Sequence, residues 1–286
     1  MYERILFPTD GSEGATAALE HVLDLAAATD ASVTVLNVAD TTRDSVTTVD
    51  GEVVDALETA GERIVDEAAE RARERGVPVS TETMQGAPAE TIADYAAEFD
   101  LVAMPTHGRG GVSRLFLGSV TERVIRRSET PVLTLRPEAD LAYPYERVLA
   151  ATDGSDTAEA ALDDAIGVAR LAGATFHALS VVDTASLGVD TYSTAYAEEL
   201  EGRAEKAVET ATERAAEGGL DSVVGAVESG ASIHGAVLDY IEENDIDLLV
   251  VGTHGRTGLD RFLIGSVAEK LVRAAPVPVL VVREQE

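Results

Sequence analysis

Short apolar runs alternate along the chain with longer segments in which apolar residues recur at helical spacing. The first run, Ile5 to Phe7, precedes an alanine-rich segment over about 13–28, and a second run extends from Ser32 to Val38. Residues 52–75 predict a long amphipathic helix, because apolar side chains recur among charged ones at Val53, Val54, Leu57, Ile64, Val65 and Ala68. Gly76 then stands where a C-cap glycine belongs. Strand and helix therefore alternate, as in a parallel sheet covered by helices.

The same alternation continues to the end of the chain. Further strands are predicted at Val79–Met84, Leu101–Met104 and Val132–Leu135, with helices over about 88–98 and from Gly118 onward. Five more strands are predicted near 147–151, 175–181, 222–228, 248–251 and 279–282. We therefore expect an α/β fold of two tandem, doubly wound, five-stranded parallel sheets with helices on both faces.

Several short blocks occur twice in the same order. Thr9-Asp10-Gly11-Ser12 returns as Thr152-Asp153-Gly154-Ser155, and the segment 100–109 returns at 247–256 with Thr-His-Gly-Arg in common. Each segment is followed by Gly-Ser-Val, at Gly118 and Gly265, and then by Pro-Val-Leu. A period of about 145 residues is the size of a domain, so each copy should have its own core. The domains are expected at 1–136 and 145–286, joined by a proline-marked linker over 137–144.

The composition narrows the function classes. The 286 residues carry a net charge of −30, from 52 acidic and 22 basic side chains. Such a surface indicates halophilic adaptation, because salt screens its self-repulsion. An acidic patch for a basic partner is the alternative, but the carboxylates are spread over both copies. The basic stripe that nucleic-acid binding needs is missing.

Cysteine content and hydropathy exclude further classes. The chain has no cysteine, so disulfides and thiolate metal sites are ruled out. No apolar run reaches the length of a membrane span, and no signal peptide precedes the first strand. A soluble, cytoplasmic protein without a membrane partner is expected.

The repeated glycines indicate a phosphate site. In doubly wound sheets, ligands bind beyond the carboxyl ends of the strands, where the strand order reverses. The second copy reads Gly252-x-x-Gly255, nine residues, then Gly265-Ser266. Glycines permit positive φ and close approach of phosphate oxygens to the amides, and Gly265 should begin a helix whose N-terminus attracts anions. The alternative is that these glycines only make tight turns, but the long spacing and its repetition favour a nucleotide site.

These motifs resemble those of the universal stress protein family in its tandem two-domain form, over essentially the whole chain. The resemblance implies adenine nucleotide alpha hydrolase-like sheets of strand order 3-2-1-4-5 that often pair through the last strand. We therefore expect the strands near 132–135 and 279–282 to run antiparallel in an intramolecular pair of the two copies, and a homodimer is a further option. The resemblance also implies that ATP or AMP is bound, with any Mg²⁺ held through the phosphates.

The family pattern also implies which residues bind the nucleotide. The aspartate after the first strand contacts adenosine, the valine of the second strand contacts adenine, and the glycine loop with Gly-Ser-Val holds the phosphates. In the second copy the implied residues are Ala151, Thr152, Asp153, Val181, Val251, Gly252, His254, Gly255, Arg256, Gly265, Ser266 and Val267. In the first copy they are Pro8, Thr9, Asp10, Val38, Met104, His107, Gly108, Arg109, Gly118, Ser119, Val120 and Thr121.

Each copy departs from this pattern at one place. The first copy has Pro105 where the first glycine belongs, which removes an N–H donor and is expected to shift the path of the loop. The second copy has Ala268 where the first has Thr121, so it lacks a hydroxyl near the phosphates. A missing hydrogen bond costs about 0.5–1.5 kcal/mol, and a misplaced loop costs more. The second copy is therefore expected to be the better site.

Other chemistry finds little support. The chain has no P-loop, no nucleophile elbow and no convincing metal-ligand spacing. His107 and His254 flank the phosphate loop and either donate to phosphate or shape the turn. His21, His177 and His234 have no counterparts in the other copy and are expected to have a surface or packing role.

Two functions remain for the chain. One is a nucleotide-binding stress or regulatory protein that is not an enzyme in its main role, because no general base is evident. The other is a protein–protein interaction module of the same fold that no longer binds nucleotide. The glycine spacing favours the first function, with an unidentified protein partner.

Overall fold

The computed structural model describes residues 2–41, 53–108, 117–139, 141–184, 194–253 and 264–283, with the backbone alone for 53–56 and 194–196. The chain divides into two compact units, Met1–Tyr143 (unit 1) and Pro144–Glu286 (unit 2). The boundary between the two units falls inside residues 137–144, the predicted linker.

Strands and helices alternate in both units, as the hydrophobic pattern predicts. Unit 1 contains β1 (Arg4–Pro8), α1 (Glu13–Thr29), β2 (Ser32–Asp40), α2 (Val53–Glu74), β3 (Val79–Gly86), α3 (Pro88–Tyr95), a 3-10 turn (Ala96–Glu98), β4 (Leu101–Pro105), α4 (Ser119–Arg127) and β5 (Val132–Leu135). Unit 2 contains β6 (Arg147–Ala151), α5 (Asp156–Ala172), β7 (Thr175–Asp183), α6 (Thr194–Glu217), β8 (Val223–Gly230), α7 (Ile233–Glu243), β9 (Leu248–Gly252), α8 (Ser266–Ala274) and β10 (Val279–Val282).

The strand order confirms the predicted doubly wound fold. In unit 1 the order is β3-β2-β1-β4-β5, and in unit 2 it is β8-β7-β6-β9-β10, with parallel pairing throughout each unit. Right-handed crossovers then place the first two helices of a unit on one face and the last two on the other. The order reverses between β1 and β4 and between β6 and β9, so a crevice is expected at the carboxyl ends of those strands.

The central strands form the core of each unit. Ile5, Leu6 and Phe7 of β1 and Leu149 of β6 have no exposed surface. These strands read as continuous apolar runs because parallel strands are covered on both faces.

The long helix α2 shows the predicted amphipathic character where its side chains are described. Val65 and Ala68 are buried, whereas Asp66 and Glu67 are exposed. Leu57 departs from the pattern and is 43% exposed. Gly76 ends the helix as predicted, with φ of 72° and its N–H donating to the carbonyl of Arg73.

The repeated aspartates Asp100 and Asp247 stabilise the amino-terminal edge of the sheets, opposite the crevice. Asp100 Oδ2 accepts hydrogen bonds from the backbone N–H groups of Glu3 (3.0 Å) and Arg4 (2.9 Å). Asp247 Oδ2 accepts two equivalent bonds at 2.8 Å. Burial raises the pKa of Asp100, but the hydrogen bonds and charge of Arg4 outweigh it and lower the pKa overall. These repeated residues therefore support the fold.

A helix can span a membrane only when it is both long and apolar. Within the described ranges, none is both long enough and apolar enough to cross a bilayer.

Candidate nucleotide site

The Thr-Asp-Gly-Ser motif of unit 1 folds into a turn at the carboxyl end of β1. Thr9 Oγ1 accepts a hydrogen bond from the N–H of Gly11 (3.1 Å), and Asp10 Oδ1 accepts one from the N–H of Ser12 (3.0 Å). Ser12 Oγ then caps α1 by accepting from the N–H of Ala15 (3.2 Å). Thus all three side chains of the motif shape the turn themselves.

The same turn recurs in unit 2 with nearly identical distances. Thr152 Oγ1 and Asp153 Oδ1 accept from the amides two residues ahead at 3.1 and 3.0 Å, and Ser155 Oγ caps α5 at 3.3 Å. Gly11 and Gly154 have φ of 72° and 70°, which explains why the turn needs glycine at that position.

The helices that follow the glycine loops begin without a side-chain cap. Gly118 is the N-cap of α4 and Gly265 that of α8, and neither offers a side chain to the first-turn N–H groups. By contrast, α1 and α5 are capped by serine. The first-turn residues Ser119 and Ser266 are exposed. Each unit therefore presents one uncapped, positively polarised helix end beside its aspartate turn.

The two glycine loops begin and end with equivalent backbone hydrogen bonds. Thr106 N–H donates to Leu135 O at 2.9 Å, and Gly118 N–H donates to Thr106 O at 2.8 Å. In unit 2, Thr253 N–H donates to Val282 O at 2.9 Å, and Gly265 N–H donates to Thr253 O at 2.7 Å. The shift that Pro105 was expected to cause is therefore not seen at the base of the loop.

The loop of unit 1 lies against the aspartate turn. A Cβ atom at Gly108 would stand 2.5 Å from Asp10 Oδ2, so a larger residue there would force the carboxylate to move. Thr106 Oγ1 lies 2.8 Å from Nδ1 of His107, which fixes the imidazole at the start of the loop. Asp10, His107 and Gly108 are thus brought together as predicted from their positions in the sequence.

Close approach, and not positive φ, accounts for Gly118 and Gly252 of the loop motif. Gly118 and Gly265 have φ of −60°, and a Cβ at Gly118 would be 3.0 Å from Thr106 O. A Cβ at Gly252 would be 2.9 Å from Thr157 O. The expectation that positive φ selects these glycines is therefore wrong, and positive φ is instead found in the Thr-Asp-Gly-Ser turns.

The remaining predicted residues fall into four groups. Pro8, Met104, Ala151 and Val251 lie at or near strand ends, and Val120, Thr121 and Val267 lie in the first turns of α4 and α8. Val38 and Val181 are half-buried, but β2 and β7 continue two residues beyond them, so they do not end their strands as predicted. Arg109, His254, Gly255 and Arg256 lie outside the described residues.

Both the sequence and the fold are similar to those of known proteins. The family model described as "Universal stress protein family" matches residues 1–136 and 144–283. The chain belongs to the universal stress protein family.

Individual members of the family match over different lengths. A universal stress protein of Mycobacterium tuberculosis is 30% identical over 239 residues, which cover 79% of this chain and 78% of that protein. A solved universal stress protein from Archaeoglobus fulgidus has a TM-score of 0.77 and 25% identity, with 100% of both chains covered. Another solved family member, in complex with cAMP, is 28% identical over 47% of this chain and 97% of its own, with a TM-score of 0.38.

Of the three histidines without counterparts in the other copy of this universal stress protein, His21 and His177 are buried and His234 is half-buried. His21 is buried on α1, with Nδ1 2.7 Å from Leu141 O, and His177 Nδ1 lies 3.0 Å from the hydroxyl of Tyr240. Burial lowers the pKa of both imidazoles. His234 Nδ1 lies 2.6 Å from Ser232 Oγ at the start of α7.

Carboxylate and imidazole groups do not assemble a metal site in the part of the chain that the structure describes. A divalent ion that accompanied a nucleotide would depend on phosphate oxygens and water for its ligands.

One pair of residues near the site was missed by the sequence reasoning. Gly14 on α1 and Thr157 on α5 occupy the same place in the two copies, two residues after the capping serine. Comparing the copies at this position would have shown that a glycine on one helix matches a larger residue on the other.

Proposed function

We propose that this protein binds an adenine nucleotide in a stress-response or regulatory role, with little or no turnover. The observation that supports this most is the uncapped helix N-terminus at Gly118 and Gly265, placed beside an aspartate turn at the switch point of the sheet. Within the family, one solved member is in complex with cAMP. Two family domains in one chain also fit an intramolecular pair.

The charges around the helix ends fit a bound phosphate. The first-turn residues Glu122 and Glu269 are ion-paired with Arg126 and Arg273, one turn along the same helix. Their negative charge is thus partly balanced, so it opposes an incoming anion less. The backbone N–H groups and the helix dipole remain as the attractive contribution.

Turnover would require a group that activates water, and the aspartates of the turn are poorly suited to that role. Oδ1 of both Asp10 and Asp153 already accepts a backbone hydrogen bond within the turn. We therefore expect the nucleotide to set conformation or partner choice, with any hydrolysis slow.

A carboxylate at the exposed first-turn serines tests this function without disturbing the core. Ser119→Asp with Ser266→Asp should keep or raise helix stability, because an anionic side chain at a helix N-terminus is favourable. The same charge should repel the phosphates and weaken ATP binding more than tenfold, which is above about 1.4 kcal/mol. Calorimetry with ATP, ADP, AMP and cAMP would measure the loss and identify the preferred nucleotide.

The neutral pair Ser119→Asn with Ser266→Asn is the matched control and should bind nearly as wild type. Mass spectrometry of nucleotide released from protein purified without added ligand gives an independent readout. If no nucleotide co-purifies and the wild-type protein binds none in calorimetry, the proposed function fails. The fold would then serve as a protein–protein interaction module.

A further inference from the structure

The segment that follows β5 runs over helix α1 of the same unit. Pro137 lies against the first turn of α1, where a Cβ at Gly14 would stand 2.8 Å from its Cγ. Leu141 then reaches His21, which lies about 10 Å further along the helix than Gly14. Residues 141–143, which we call the strap, therefore lie on α1 before unit 2 begins.

His21 joins the strap to the helix by two contacts. Its Nδ1 lies 2.7 Å from the carbonyl oxygen of Leu141, and its ring makes a T-shaped contact with that of Tyr143, with centroids 6.3 Å apart. A carbonyl oxygen only accepts hydrogen bonds, so Nδ1 must carry the proton. The next proton would therefore bind at Nε2 and place a positive charge on a residue that is 2% exposed.

Few charges act on this buried ring. Burial lowers the pKa of His21, and the hydrogen bond to Leu141 and the charge of Asp24 offset this only in part. Arg75, which follows α2, binds Asp24 at 2.7 Å. Of the strands that pack on α1, β4 has no ionisable side chain, and β2 has one only at its last residue, Asp40. The carboxylates near α1 therefore do little to stabilise an imidazolium at this position.

The strap is the part of the cover over His21 that can open most easily. It lies between β5 and β6, outside the helices and strands that the structure describes, and Leu141 and Tyr143 are only half-buried. By contrast, α1 packs on the sheet through buried side chains such as Leu19 and Val22. Release of the strap would hydrate a charged imidazole at the loss of the strap's own contacts, whereas movement of the helix would expose the core.

We propose that His21 is a pH-sensitive attachment, which holds the strap on α1 while its imidazole is neutral and releases the strap when the imidazole is protonated. The attachment belongs to unit 1 alone, because Asp164 occupies the same place in α5. Release would lengthen the free chain between the two folded units, which is how acid would act on the tandem protein. The attachment does not depend on nucleotide.

The direction of the pH effect follows from the burial of the ring. With the strap open, a hydrated His21 would titrate near its ordinary pKa of about 6.5, whereas the closed strap lowers that pKa. The attachment is therefore at full strength above pH 6.5 and weakens as the pH falls from 6.5 through the lower pKa of the closed form. Over that range, the ratio of open to closed strap should rise by up to about tenfold per pH unit.

The first experiment measures the pKa of His21 by NMR in the whole chain, in molar KCl. In the wild-type protein this pKa should lie below 6.5. Tyr143→Ala removes part of the cover and should raise the pKa of His21 toward its ordinary value, while His177, which is buried in unit 2, should titrate as before. An ordinary pKa for His21 in the wild-type protein, or one that Tyr143→Ala leaves unchanged, would overturn the inference, because the strap would then not be what keeps the ring neutral.

The second experiment follows the strap itself. The chain has no tryptophan, so Tyr143→Trp places a single one in the strap. As the pH falls from about 8 to about 5, its emission should shift to the red, while far-UV circular dichroism stays constant. His21→Asn keeps an N–H donor near the position of Nδ1 but cannot be protonated, so the emission of the double variant should not change with pH.

Three results of this titration would contradict the proposed attachment. An equal red shift with and without His21 would mean that another group drives the opening. A constant emission in both proteins would mean that the strap stays closed over the charged ring. A loss of circular dichroism in step with the red shift would mean that protonation unfolds the unit and does not release the strap.

Discussion

Unit 1 and unit 2 build the same turns and helix starts at the carboxyl ends of their central strands, with different side chains at one position. The Thr-Asp-Gly-Ser turns match bond for bond, and both loops return to a glycine N-cap. At the end of the fourth strand, however, unit 2 has Gly252, whose Cβ would stand 2.9 Å from the carbonyl oxygen of Thr157, whereas unit 1 has Pro105. A departure from a motif therefore has to be judged together with the residues it contacts.

The largest effect we predict is one the two units should share. Residues 1–143 hold 26 acidic and 12 basic side chains, and residues 144–286 hold 26 and 10. Raising KCl from about 0.1 M to molar levels shortens the Debye length from about 10 to 3 Å, which relieves repulsion among these charges. We expect the Tm to rise strongly, with both units stabilised together, in a thermal scan across that range. A flat or falling Tm would show that the charge is not a halophilic adaptation, and a rise in only one of two transitions would break the equivalence of the units.

A second prediction concerns the buried hydroxyl that only unit 1 has at this contact. Thr121→Val keeps the shape of the side chain but leaves the carbonyl of Pro105 without the 3.0 Å bond. An unsatisfied buried acceptor costs about 1–3 kcal/mol. We expect Thr121→Val to lower the urea midpoint of unit 1. Thr121→Ser, which keeps the hydroxyl, should lower this midpoint less. Equal or greater stability of the valine variant would mean that the hydroxyl matters little to the fold.

Most of the fold could be predicted from the sequence because its signals are local. Apolar runs bounded by turn residues located every strand to within two residues, and Gly76 marked the end of α2. The repeat itself indicated two units of similar size. The lengths of β2 and β7 were underestimated because their last two residues, such as Ala39 and Asp40, carry no strong strand signal.

The site was predicted only in part, because several of its residues serve contacts that are distant in the sequence. The aspartates and glycine N-caps were found from their motifs. The relation between Gly14 and the segment after β4 depends on packing across more than 90 residues, which no local pattern reveals. Thr121 was interpreted as a hydroxyl near the phosphates, but its donor is used by Pro105.

The smallest effect we predict concerns the stability of the two units and comes from the residue that ends their first helices, which differs between them. Asp30 caps α1 with φ of 55° and ψ of 26°, and Gly173 caps α5 with φ of 67° and ψ of 27°. An L-residue in the left-handed region is strained by up to about 1–2 kcal/mol, although aspartate tolerates it better than most. Asp30→Gly should therefore stabilise unit 1 by about 0.5–1 kcal/mol, and Gly173→Asp should destabilise unit 2 by a similar amount. A Cβ at Gly173 would meet no atom within 4 Å, so conformation alone is tested there.

Charge has to be separated from conformation in this comparison, because Asp30 also places a carboxylate at the negative end of a helix dipole. Asp30→Asn removes the charge and keeps a side chain that tolerates left-handed φ. In molar KCl, where the dipole interaction is screened, the asparagine variant should match wild type, and the glycine variant should raise the Tm of unit 1 by roughly 1–4 °C. If the asparagine and glycine variants gain equally at low salt and neither gains in molar KCl, the strain of Asp30 is negligible and its effect is purely electrostatic.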